Sequence, residues 1–197
     1  MDLWAHLKER MLKYPSQQIC EPDGVLTYEE MVILAESLGR ALEGQTCCAI
    51  YCRSELFTAM AILGCFSANI TAVPLSFRYG HRHCNKILQS VSPSCVITDV
   101  DGKFGIYDIL DSEYKSPRKK PSLIMYTSGT TGFPKGAMLG DESILTNVRD
   151  ILSYFPLFST DTILISRPLK ICGGQGQGPC TGAAGCQGLQ KGPYCRG

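Results

Sequence analysis

Apolar and polar positions along the first 170 residues follow two rhythms, one helical and one alternating. Leu3, Trp4, Leu7, Met11 and Leu12 form one stripe, which predicts an amphipathic helix over 2–14 that Pro15 ends. Residues 18–20 and 25–27 predict two short strands around the turn Pro22-Asp23-Gly24. Thr27 and Glu30 have the spacing of a capping box for a helix over 28–42. Its inward residues are Met31, Leu34, Ala35, Leu38 and Leu42. The pattern then gives a buried strand over 46–52, an apolar helix capped by Ser54 and running to 68, and a strand over 70–75. A helix over 79–90, a strand over 95–98 and a turn at Asp101-Gly102 follow.

Strand and helix in strict alternation predict an α/β fold, a layered sheet with parallel strands flanked by helices. A basic, proline-broken linker over 111–121 reads as a solvated surface loop. Beyond it come a strand over 123–126 and another over 136–139. Asp141 is the expected cap of a helix over 142–154, with Ile144, Leu145, Val148, Ile151 and Leu152 inward. A last strand is expected over 161–166. After residue 170 the pattern stops. Residues 172–197 hold nine of the twenty glycines and four of the eleven cysteines, with one leucine and no acid. Such a stretch buries too little apolar surface to offset its ordering entropy, so 1–170 is expected to be the folded part and 171–197 a disordered tail. A reading-frame change near Ile171 would explain the shift.

Composition narrows the function classes. At 44% hydrophobic and 19% charged residues, the 197-residue chain reads as globular. A net charge of +1 gives no case for nucleic acid or an anionic membrane. No apolar run reaches membrane-spanning length, and the start lacks the features of a signal peptide, so a cytoplasmic location is expected. Cys20, Cys47, Cys48, Cys52, Cys65, Cys84 and Cys95 read as buried free thiols. The tail cysteines, Cys172, Cys180, Cys186 and Cys195, make no C-x-x-C pair, so a tail metal module has little support. His81 and His83 read as an exposed polar turn, and Asp99 and Asp101 as turn residues.

The chemistry is concentrated between the strands at 123–126 and 136–139. Thr127, Ser128, Thr130 and Thr131 offer hydroxyl donors, Gly129 and Gly132 allow close backbone approach, and Lys135 adds a mobile cation. That set suits a polyphosphate. The Walker pattern fails, because Lys135 precedes Gly136 and Ala137 follows, and G-x-G-x-x-G is absent from the loop.

The run Tyr126-Thr127-Ser128-Gly129-Thr130-Thr131-Gly132-Phe133-Pro134-Lys135-Gly136 resembles the Y-T-S-G-T-T-G-x-P-K-G signature of the AMP-forming acyl-CoA synthetase, luciferase and peptide-synthetase adenylation superfamily. It matches at every fixed position. Weaker similarities lie in Leu26-Thr27-Tyr28-Glu29-Glu30-Met31, in Leu63-Gly64-Cys65 through Val73-Pro74-Leu75, and in the V-x-x-T-D-like stretch that ends at Asp99. Asn69 stands where glycine is usual, and Gly140-Asp141 replace a common Thr-His pair.

The resemblance implies ATP-dependent activation of a carboxylic acid, fatty in the favoured branch, as acyl-AMP. The acyl group then passes to a thiol, coenzyme A or carrier pantetheine, and Mg2+ bridges the phosphates. It implies that Thr127, Ser128, Gly129, Thr130, Thr131, Gly132 and Lys135 bind the β- and γ-phosphates. An amino-acid or aryl-acid adenylation domain is the alternative within the class. The family's adenine motif, ribose aspartate and C-terminal lysine have no match here. The chain itself is therefore expected to be a truncated and inactive form with an uncovered sheet edge, at most a catalytically silent nucleotide-binding fragment. No catalytic residue or metal ligand is assigned.

Overall fold

A computed structural model of the chain describes residues 2–22, 24–77, 79–100, 103–110, 112–127, 135–155, 157–158 and 161–163. The tail over 171–197 and the turn Asp101-Gly102 lie outside the described residues. The order is α1 (Leu3–Lys13), β1 (Gln18–Glu21), β2 (Gly24–Thr27), α2 (Tyr28–Ala41), β3 (Cys47–Tyr51), α3 (Glu55–Ser67) and β4 (Thr71–Pro74). Then come α4 (His81–Val91), β5 (Cys95–Val100), β6 (Lys103–Asp108), β7 (Leu123–Thr127), β8 (Lys135–Leu139) and α5 (Asp141–Tyr154).

The main sheet has six strands in the order β6-β5-β3-β4-β7-β8. The four inner strands are mutually parallel, and β6 and β8 are antiparallel at its two ends. β1 and β2 form a separate antiparallel pair. This is the expected α/β architecture.

Side-chain alternation along β3 sends neighbours to opposite faces. Cys48 and Ile50 join Leu38 and Leu42 next to α2, and Ala61 and Cys65 of α3. Cys47 and Ala49 join Ile87 and Val91 of α4, with Ile124 and Tyr126 of β7. α1 lies outside α2 through Trp4 against Val32 and Ala35. α2 and α3 approach closely because Gly64 has no side chain. A Cβ there would sit 2.5 Å from Leu38 Cδ2.

Several expectations need correction. β6 was not foreseen; Phe104 and Ile106 alternate against the core while Gly105 interrupts the apolar signal. The strand expected over 161–166 is absent at 161–163, and its remainder lies outside the described residues. Asp141 does not cap α5. Gly140 holds the N-cap position with no side-chain bond, and Asp141 is the first helical residue. Of the residues expected inward on α5, Leu145 is buried, whereas Val148, Ile151 and Leu152 are exposed. Leu12 and Leu34 are also exposed, and Val32 is buried in place of Leu34. Cys20 is exposed, unlike the other six described cysteines.

Asp99 is a buried strand residue facing Phe104, not part of a turn. His81 and His83 lie in the first turn of α4, and His83 Nε2 is buried. The linker is irregular as expected but tied down. Thr71 Oγ1 donates to the Pro121 carbonyl at 2.7 Å and lies 3.1 Å from the Tyr114 hydroxyl. Among the described residues no helix is long and apolar enough to cross a membrane.

Candidate functional site

β7 and β8 form an antiparallel hairpin whose last registered pair is Thr127 with Lys135. The polar run therefore joins two strands, as its sequence indicates. Ser128, Gly129, Thr130, Thr131 and Gly132, with the side chain of Thr127, lie outside the described residues. Of the seven sequence-predicted binding residues, the structure places the Thr127 backbone and Lys135, whose side chain is exposed at the hairpin mouth.

The mouth has a defined support. Tyr126 is 5% exposed and faces Gly136 across the hairpin. A Cβ on Gly136 would come within 3.0 Å of Ile124 Cγ2 and 3.1 Å of Tyr126 Cζ. On its other side β7 pairs with β4 at Ala72 against Leu123. Towards its end, contact on that side comes from Tyr79, whose hydroxyl donates to the Tyr126 carbonyl at 3.4 Å. The Tyr79 ring packs on His83, with centroids 4.3 Å apart.

The same rim of the sheet holds the start of α3, a helix N-terminus suited in principle to an anion. Its backbone donors are already taken by the protein's own carboxylates. Asp99 accepts from Arg53 N at 2.7 Å on both oxygens and from Ser54 N at 2.8 Å. Glu21 accepts from Ser54 Oγ at 2.6 Å and Glu55 N at 2.8 Å. A phosphate is thus not expected at α3, which leaves the hairpin as the candidate. Arg53 covers Phe77 with its guanidinium 5.0 Å from the ring centre, and Phe77 stacks on Tyr51. The sequence takes Asp99 only as a motif and turn residue and does not mark Glu21 and Tyr79. Glu21 meets Ser54 across 33 residues and Tyr79 meets Tyr126 across 47, so the sequence around each does not mark these contacts.

Among the described residues no group of three or more acids, histidines or cysteines could hold a metal ion. Burial acts elsewhere. It pushes the Cys47 and Cys48 thiols well up, with Cys65 and Cys95 close by adding to the effect. These are unreactive core thiols, not nucleophiles.

A mostly parallel sheet layered by helices and ending in this hairpin has the fold of the N-terminal part of an adenylate-forming ligase. The chain belongs to the AMP-binding enzyme family, whose model matches residues 7–118 and 107–189. Among relatives, it is 26% identical over 168 residues to Trichosetin synthetase PKS-NRPS1 of Gibberella fujikuroi, covering 72% of this chain and 4% of that protein. It is 25% identical over an alignment of 205 residues to Sulfoacetate–CoA ligase of Cupriavidus necator, covering 85% of this chain and 40% of the ligase. A similar solved structure is o-succinylbenzoate CoA synthetase of Bacillus subtilis in complex with its acyl-adenylate intermediate. The TM-score is 0.68 at 20% identity, over 86% of this chain and 50% of that one. The chain thus spans half or less of the length of each of these proteins.

Proposed function

We propose that the chain takes part in ATP-dependent activation of a carboxylic acid as acyl-AMP, with transfer to a thiol such as coenzyme A. The observation that carries this reading is the register of Thr127 with Lys135. It sets the hydroxyl- and glycine-rich run on a strand hairpin and puts an amine at its mouth.

In this reading Thr127, Ser128, Thr130 and Thr131 donate to phosphate oxygens, Gly129 and Gly132 let the backbone close on them, and Lys135 balances charge. Mg2+, when bound, would supply further charge neutralisation at the phosphates. A CoA ligase among the relatives supports the coenzyme A branch; a fatty acid is the substrate proposed for it. The amino-acid or aryl-acid adenylation reading rests on the peptide-synthetase relative.

Calorimetry with Mg·ATP tests the binding step. The full chain carrying Lys135→Ala, Thr130→Ala and Thr131→Ala together should bind at least about tenfold more weakly than wild type. Equal affinities would remove the phosphate reading. Pyrophosphate release with a panel of acids separates turnover from a silent nucleotide-binding fragment. Release with alkanoic acids favours the first branch, and release with amino or aryl acids the second.

A further inference from the structure

We infer that Tyr79 is a positioning residue that fixes the mouth of the Thr127–Lys135 hairpin against α4, with the His83 ring as its backstop. The inference deepens the proposed function and rests on its assignment of this hairpin to phosphate.

β7 needs such a tie because its support is uneven. One flank is paired with β8 along all five of its residues. The other meets β4 at Leu123, and β4 ends at Pro74, which has no N–H to continue the ladder. The Tyr126 carbonyl lies three residues beyond that contact and immediately before the polar run. Tyr79 reaches it from the segment between β4 and α4, and its ring packs against the same core cluster that holds Ile124 and Tyr126. A bond of 3.4 Å is weak in itself. Its leverage comes from place: it holds the end of β7, next to the run to which the proposed function assigns the phosphate donors.

His83 sets the Tyr79 ring. The two rings are inclined by 43°. His83 Nε2 is buried with no hydrogen-bond partner among the described residues, so its contact with Tyr79 is made by the ring. A ring of similar size should serve as well, since removing an unpartnered buried polar atom costs little.

Site-resolved hydrogen exchange on the full chain, with and without Mg·ATP, tests the tie. Tyr79→Phe keeps the ring and deletes the hydroxyl. Without nucleotide it should speed exchange at Thr127, Lys135 and Gly136 about three- to fivefold while leaving β3 and α3 unchanged. His83→Ala should do the same, and His83→Phe should restore wild-type exchange. Mouth amides that exchange in Tyr79→Phe as in wild type, or a rise spread evenly over the sheet, would overturn the inference. If Tyr79→Phe unfolds, the His83 pair decides: equal exchange in His83→Ala and His83→Phe would refute it. The nucleotide arm stands apart. If Mg·ATP gives wild-type mouth amides no protection, the phosphate reading fails, while the nucleotide-free comparison still judges the tie.

Discussion

Leu3 donates its backbone N–H to Asp141 Oδ2 at 3.1 Å, so the first helix starts on a carboxylate 138 residues further along the chain. Asp2 takes the next two donors, Trp4 N at 3.0 Å and Ala5 N at 3.3 Å. Ser122 Oγ holds the other oxygen of Asp141, just before β7. One carboxylate thus joins α1, the β7 entrance and α5. Asp141→Ala should lower stability by about 1–2 kcal/mol, the scale of a lost helix cap plus a charged hydrogen bond. Asp141→Asn, which can still accept from Leu3, should lose less. Urea unfolding with exchange at the Leu3 amide checks both, and a variant as stable as wild type with Leu3 still protected would refute the role.

Legibility followed the range of each interaction. The Thr27–Glu30 box is local and stands as read, with Glu30 N donating to Thr27 Oγ1 and Thr27 N to Glu30 Oε2. The α/β order was legible because both faces of β3 are buried, which gives an unbroken apolar run. Asp141 misled because its cap role serves a helix that no nearby residue announces. The exposed apolar residues of α5 misled because helical periodicity marks a stripe without saying what covers it. At the candidate site the hairpin frame could be read from the two short apolar runs, 123–126 and 136–139, that flank the polar stretch. Its supports, Tyr79 and Gly136, reach across elements and could not.

Asp99 should be among the more sensitive polar positions. Its side chain is buried at the end of β5 and meets two backbone N–H groups at the turn from β3 into α3. Asp99→Ala would take the carboxylate from those two part-buried donors, at a cost of about 1–2 kcal/mol. Glu21→Gln should cost less, since the amide oxygen can still accept from Glu55 N. Measured midpoints in the reverse order would show that Glu21, not Asp99, sets the turn.

Gly136 is exposed, yet its space is filled. Gly136→Ala forces Tyr126 or Ile124 to move, which should cost about 1–2 kcal/mol and weaken Mg·ATP binding by disturbing the hairpin register. Gly140→Ala is the control, because nothing lies within 4 Å of a Cβ there. That change should cost only about 0.5–1 kcal/mol, the preference of an N-cap for glycine over alanine, and leave Mg·ATP binding unchanged. Equal effects at the two glycines would mean that close packing is not why residue 136 lacks a side chain.

The core thiols should make the fold sensitive to alkali. Burial raises Cys47 and Cys48 above the ordinary thiol value of 9.0, so the folded chain keeps protons that the unfolded chain gives up. Their contribution is complete below that value and is lost as pH rises past it. Each thiol should remove up to about 1.4 kcal/mol per pH unit. Lys120 acts in the opposite sense, because burial lowers it and the unfolded chain binds more protons up to 10.5. Its side chain is exposed, so two core thiols should outweigh it. Urea unfolding under reducing conditions should show stability level from pH 7 to 8.5 and falling from 9 to 10.5. Cys47→Ala should make the fall shallower even though it lowers stability at neutral pH. In the native state an alkylating probe should label Cys20 well before the six buried cysteines. A flat alkaline limb, or labelling of Cys48 at the rate of Cys20, would mean that this layer of the core admits water.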